Sequence, residues 1–226
     1  MTTSGVSSYN PDFDEIIIEA YERCGMQVRD GYDVQSARRS LNLMFAEWAN
    51  RGLNLYTIEQ REEVLTASVL EYSLPADTVD VLSAVIRTNS GASDQQDITI
   101  DRIGSAEYLH IPNKLTESRP AQFFVQRTVP AKLFLYPAPD ATQTYIFRYY
   151  GIRRIEEAGA ITNTADISFR FLPCLTAGLS YYLSVKKAPD RIAMLKQFYE
   201  EEFARAAAED TERTGYFAVP TYTENY

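Results

Sequence analysis

The stretch from Leu41 to Gln60, LNLMFAEWANRGLNLYTIEQ, decides how this chain is read. Ala37, Leu41, Met44, Phe45 and Trp48 fall at the spacing that puts one apolar stripe on a helix, and Gly52 stands where a left-handed C-terminal cap belongs. Beyond the glycine, Leu53, Leu55 and Thr57 alternate with Asn54, Tyr56 and Ile58, the period of a strand. The chain therefore leaves a helical layer and enters an extended one within a few residues. Trp48 is the only tryptophan, and nothing around it is a reactive group.

Toward the N-terminus, residues 1–11 are small and polar and read as a flexible arm. Phe13, Ile17, Ala20, Tyr21 and Cys24 make a first helix, with Asp12 as N-cap, Glu15 completing a capping-box-like pair and Gly25 closing it. A short link through Asp30-Gly31 leads to the second helix, from about Val34 to Asn50. So short a connection predicts an antiparallel or crossed helix hairpin.

Toward the C-terminus the period stays at two from Leu53 to about Arg154. SVLEYSL, VDVLSAVIR, DITID, AQFFVQR, AKLFLYP and TYIFRYYGIRR are rich in Val, Ile, Tyr and Phe, and Pro, Asn, Asp and Gly punctuate them. One interruption, GSAEYLHI, reads as a helical turn on a loop. The helical period then returns. Leu175, Leu179, Tyr182 and Leu183 form a stripe on a helix with Pro173 at its first position. Ala188-Pro-Asp190 breaks it, and Asp190 is the expected cap of a last helix whose Ile192, Leu195, Tyr199, Phe203 and Ala206 share a face. Glu201 with Arg205 and Glu209 with Arg213 are four-apart pairs in the favourable order.

This order predicts an α+β fold. A helix bundle is formed by the N-terminal and C-terminal helix pairs, with a central antiparallel β-sheet or small sandwich inserted between them. The expected boundaries are an arm at 1–11, a helical domain of 12–52 plus 166–213, a β-rich domain of 53–165 and an extended docking tail at 214–226. Trp48, Phe45, Leu179 and Tyr199 are the expected structural core, with Trp48 joining the two helix pairs.

The chain has 226 residues, 45% of them hydrophobic, with 31 acidic against 22 basic residues and a formal net charge of -9. So acidic a balance argues against gripping phosphates by counterion release, which needs a basic face, and leaves room only for a local basic patch; it suits repelling DNA. The N-terminus has neither the basic nor the apolar region of a signal peptide, and no apolar run approaches the roughly 20 residues of a membrane span. A soluble protein made inside the cell is expected. Cys24 and Cys174, with no partner at metal or redox spacing, read as buried free thiols.

Marks of chemistry are sparse. His110 is the only histidine, which excludes two-imidazole sites, and phosphate-loop and Gly-x-Ser-x-Gly patterns are missing. Ser184-Val-Lys-Lys187 matches Ser-x-x-Lys without its companion motifs. The carboxylate clusters at Asp12, Asp14 and Glu15, at Glu62 and Glu63, at Glu156 and Glu157, at Glu200–Glu202, and at Glu209, Asp210 and Glu212 read as helix caps and solvated faces. No catalytic residue, metal ligand or cofactor is expected. The tail TGYFAVPTYTENY is the exception: Tyr216, Phe217, Val219, Tyr222 and Tyr226 around Pro220 form an aromatic segment suited to ordering on a partner, the alternative being that it folds back on the chain's own helices.

Three stretches taken in order carry a resemblance: LNLMFAEWANRGLNLYTIEQ, PAQFFVQRTVPAKLFLYPAPDATQTYIFRYYGIRRIEEAG and LPCLTAGLSYYLSVKKAPDRIAMLKQFYEEEFARAAAEDTER. Together the sequence resembles the head-to-tail adaptor, or connector, proteins of short-tailed bacteriophages. The resemblance implies a non-enzymatic virion component in the neck, made in the host bacterial cytoplasm. It also implies a dodecameric ring of this chain between portal protein and tail nozzle, with genomic DNA passing through without sequence-specific binding and no contact with membrane. The terminal aromatic segment would then meet the portal. Weighed beside it are another ring or nozzle component of the tail, a glycan-acting enzyme using a carboxylate pair among Glu62, Glu63, Glu156 and Glu157, and an acidic β-sheet module that binds a host protein.

Overall fold

A computed structural model describes residues 5, 9–52, 57–160 and 162–209. Two helices come first, α1 (Phe13–Arg23) and α2 (Gly31–Arg51). Asp12 Oδ1 accepts the Glu15 backbone N–H at 2.9 Å, and Asp30 Oδ1 accepts that of Asp33 at 3.0 Å, each satisfying an orphan donor of a first turn. The second cap corrects the sequence reading: Asp30 and Gly31 begin α2 rather than link to it. Gly52 closes α2 at φ 85°, a left-handed conformation that any side chain would strain.

The β region holds β1 (Ile58–Val64), β2 (Glu71–Ser73), β3 (Thr78–Thr88), β4 (Gln96–Thr99), β5 (Asp101–Arg102), β6 (Gln122–Gln126), β7 (Lys132–Tyr136) and β8 (Ile146–Arg153), with a short helix α3 (Ser105–His110) between β5 and β6. These strands make two four-stranded sheets, ordered β1-β8-β3-β4 and β2-β7-β6-β5. All pairings are antiparallel except β5 with β6, which run parallel. The run DITID therefore divides between sheets. The chain crosses at Ile100, whose side chain is buried in the core.

Alternation does the packing. Phe123, Val125, Leu133 and Leu135 point inward from one sheet, and Val81, Ile86, Phe147 and Tyr149 from the other. Phe123 and Phe147 meet edge to face across the sandwich, ring centroids 5.7 Å apart. β1 reads IEQREEV, too polar to stand out as a strand. It is held by β8 on one side, and Glu62 pairs with Arg148 at 3.0 Å.

After the sandwich a 3-10 turn (Phe169–Phe171) leads into α4 (Leu172–Lys187), and a second one (Pro189–Arg191) leads into α5 (Ile192–Glu209). Asp190 lies inside that second turn, so it is not the cap of the last helix. Arg205 pairs with Glu202 rather than with Glu201. α4 is the central rod, buried through Cys174–Ser180 and again at Leu183 and Ser184. Gly178 allows this: a Cβ there would lie 2.3 Å from Met44 Sδ and 2.8 Å from Tyr199 Cε2, so α2 and α5 come close only because the position is bare. The buried apolar residues fall into two clusters, one within the helices and one within the sandwich.

Candidate functional site

The geometry joins the helices through α2. Trp48 is fully buried, edge to face with Phe45 at 6.2 Å and tilted against Phe171 at 6.1 Å. Its Nε1 donates to Tyr199 Oη at 2.9 Å, and Tyr199 Oη in turn donates to Glu47 Oε2 at 3.0 Å. Tyr182 Oη donates to the same carboxylate oxygen at 2.8 Å. Arg51, one turn on, pairs with Glu47 at 2.8 Å, forks onto both oxygens of Glu200 at 2.8 Å, and lies over the Phe203 ring at 4.4 Å. One face of α2 thus holds α4 and α5 through a chain of polar bonds around an aromatic centre. Burial raises the Tyr199 hydroxyl's pKa well beyond its ordinary value, with the Glu47 charge adding to it, and Tyr182 is pushed up to about 12 by the same two causes. Both stay protonated donors. Leu179 and Phe45 are also buried in this core.

A second linkage closes the sandwich. Asp80 on β3, almost fully buried, accepts from Arg102 Nη2 at 2.8 Å and from its neighbour Val81 N at 2.9 Å, and also pairs with Arg127. Both arginines come from the opposite sheet region. Burial alone would raise the Asp80 carboxyl, but the two guanidiniums outweigh it and hold its pKa below the usual range.

The remaining features are surfaces. An apolar groove of 990 Å³ runs along the α1–α4 seam. Ile16, Leu172 and Pro173 contribute to its lining, and Tyr9, Ile18 and Phe169 stand exposed on it. Glu15, Glu19 and Glu22 also line it. On the outside of the sandwich, Tyr108 of α3 stacks on Phe124 at 5.7 Å and leans on Phe134 at 5.4 Å, with Lys114 over its ring. Leu109 and Leu115 beside this platform are exposed.

Most of the groups with chemical potential are engaged elsewhere. Ser184 Oγ donates to Tyr181 O at 2.7 Å and Lys187 pairs with Asp33, so the Ser-x-x-Lys spacing brings no serine to a lysine. His110 is exposed at the end of α3. Glu62 lies between Arg148 and Arg87. Cys24 and Cys174 are free and buried, and burial pushes the Cys174 thiol up to about 12, far from a reactive thiolate. Among the described residues no group of three His, Cys, Asp or Glu is placed to hold a metal ion, and no helix is long and apolar enough to cross a membrane.

The candidate docking residues Tyr216, Phe217, Val219, Tyr222 and Tyr226 lie outside the described residues, as does the Glu209–Arg213 pair. The Glu47–Arg51 relay was not expected from the sequence, although the two charges sit four apart astride Trp48. Nor were the small residues Ala177, Gly178, Ser180 and Ser184, whose clustering on one helix signals close packing from several sides.

Compared with known families, residues 12–221 match the model described as SU10 adaptor protein. Comparison with curated proteins gives no match.

Proposed function

The chain belongs to the SU10 adaptor protein family, a structural phage family, and from that premise we propose that it forms a ring in the virion neck between portal protein and tail nozzle. The match over residues 12–221 carries the reading. The ring is a dodecamer, and the genome passes through its lumen during retention and ejection without sequence-specific contact.

Physical features agree with this role. A closed ring requires two different faces per subunit, and a chain with a helical bundle at one part and a sandwich at another offers chemically distinct surfaces. A net charge of -9 favours sliding over gripping when the passing polymer is a polyanion. The helical unit, 12–52 with 166–213, and the sandwich unit, 53–165, act as separate domains. The aromatic segment at Tyr216, Phe217, Val219, Tyr222 and Tyr226 engages the portal, since aromatic side chains give contact area at little ordering cost. Expected partners are therefore copies of the same chain, portal protein and nozzle protein.

Cryo-EM reconstruction of the particle neck tests this. The two-unit subunit should fit a ring directly beneath the portal. A neck whose rings are all accounted for by other chains would end the proposal.

A further inference from the structure

We propose that the groove along the α1–α4 seam is the docking site of this chain's own segment Gly215–Tyr222, folded back across the first turn of α4 in the free subunit. The inference does not depend on the portal reading.

The course of α5 brings the segment to the right end of the bundle. α5 returns antiparallel to α4: Tyr199 stacks on Tyr181 at 6.0 Å and closes on Gly178, and Ala206 is still in the helical core. Glu209 is thus delivered to the Leu172 end of α4. α1 runs parallel to α4, since its C-terminal end meets the later part of α4 and the turn after it: Cys24 Sγ donates to Ser180 O at 3.3 Å and Arg191 Nη1 to Arg23 O at 3.0 Å. The groove opens at the same end, walled by Leu172 and Pro173.

The length fits. Packed helices lie roughly 8–10 Å apart, so passing from α5 over α4 to the seam is a path of about 15 Å. At about 3.3 Å per extended residue that takes about five residues. Asp210–Gly215 supplies the link, and Gly215 permits the turn. Tyr216 and Phe217 then arrive over the groove.

The chemistry fits as well. Thr214–Thr223 carries no charge, so neither Glu15, Glu19 and Glu22 nor Arg23, which pairs with Glu19, opposes it at the rim. Its aromatics match Tyr9, Ile18 and Phe169, which are 72%, 43% and 69% exposed. The other nearby chain end, MTTSGVSS, has no aromatic to fill such a space.

The test is disulfide trapping in the full chain. Ile18→Cys is paired with Phe217→Cys, and the native thiols stay silent because both are buried. Leu115→Cys with Phe217→Cys serves as control on an exposed site elsewhere. At low protein concentration the groove pair should close an intramolecular disulfide on the order of tenfold faster than the control, from the higher effective concentration of a docked segment. Adding Phe169→Glu should remove that advantage, and unchanged circular dichroism shows that each variant is folded. Equal rates for the two pairs would overturn the proposal. So would disulfides between molecules, which give the groove to a second copy's tail, or trapping that appears only after residues 1–8 are removed, which gives it to the N-terminal arm.

Discussion

Trp48→Ala should be among the most damaging single changes in the helical core. The indole is fully buried, packs on Phe45 and Phe171, and donates to Tyr199 Oη at 2.9 Å. A buried aromatic of this size removes about 200 Å² from water, worth about 5 kcal/mol at roughly 25 cal/mol per Å². Measured large-to-small changes of this kind run at about 3–5 kcal/mol, because surrounding atoms collapse only partly into the cavity. Loss of the N–H costs little more, since Tyr199 Oη keeps its bond to Glu47. For a chain of this length each kcal/mol lowers the Tm by about 2–4 °C, so a fall of about 6–20 °C is expected. Helix ellipticity at 222 nm followed against temperature reads it, with β-sheet signals tracking the sandwich separately. A Tm within a degree or so of the parent would refute the reasoning, because no fully packed indole can be removed at so small a cost.

Further outcomes follow from other contacts. Gly178→Ala should destabilise by about 1–3 kcal/mol despite alanine's better helix propensity, because the new methyl meets Met44 and Tyr199; equilibrium urea unfolding measures it. Asp80→Asn should cost about 1–3 kcal/mol, discounted for the exposure of Arg127. Because the folded Asp80 pKa is depressed, its contribution is complete above the ordinary carboxylate value of 3.8 and is lost as pH falls through the lower folded value; the acid arm of a stability profile should flatten in the Asn variant. Truncation after Arg213 should leave both cores intact and abolish portal binding; calorimetry of the truncated chain with portal checks this, and full-affinity binding would contradict it.

What the sequence made legible were features with a local cause. The stripe from Ala37 to Trp48 and the left-handed Gly52 announced α2 and its end, and alternation in AQFFVQR and AKLFLYP announced β6 and β7 with the faces they bury. What stayed hidden depends on distant partners. β1 is a polar strand whose place is set by pairing with β8, and no periodicity in IEQREEV records that. Division of DITID between two sheets is a decision of the sandwich as a whole. The start of α2 was missed for a local reason, since Asp30 with Asp33 three positions on is a capping signature within reach of inspection. Surfaces were the least legible: the α1–α4 groove joins residues from Tyr9 to Thr176, and no single stretch contains it.

The most direct test of the ring reading is the mass of the purified chain in solution, alone and after mixing with the portal protein of the same phage. Conversion of a 25.7 kDa subunit into a multi-copy ring on the portal is the predicted result. A chain that stays at the subunit mass beside intact portal would contradict it.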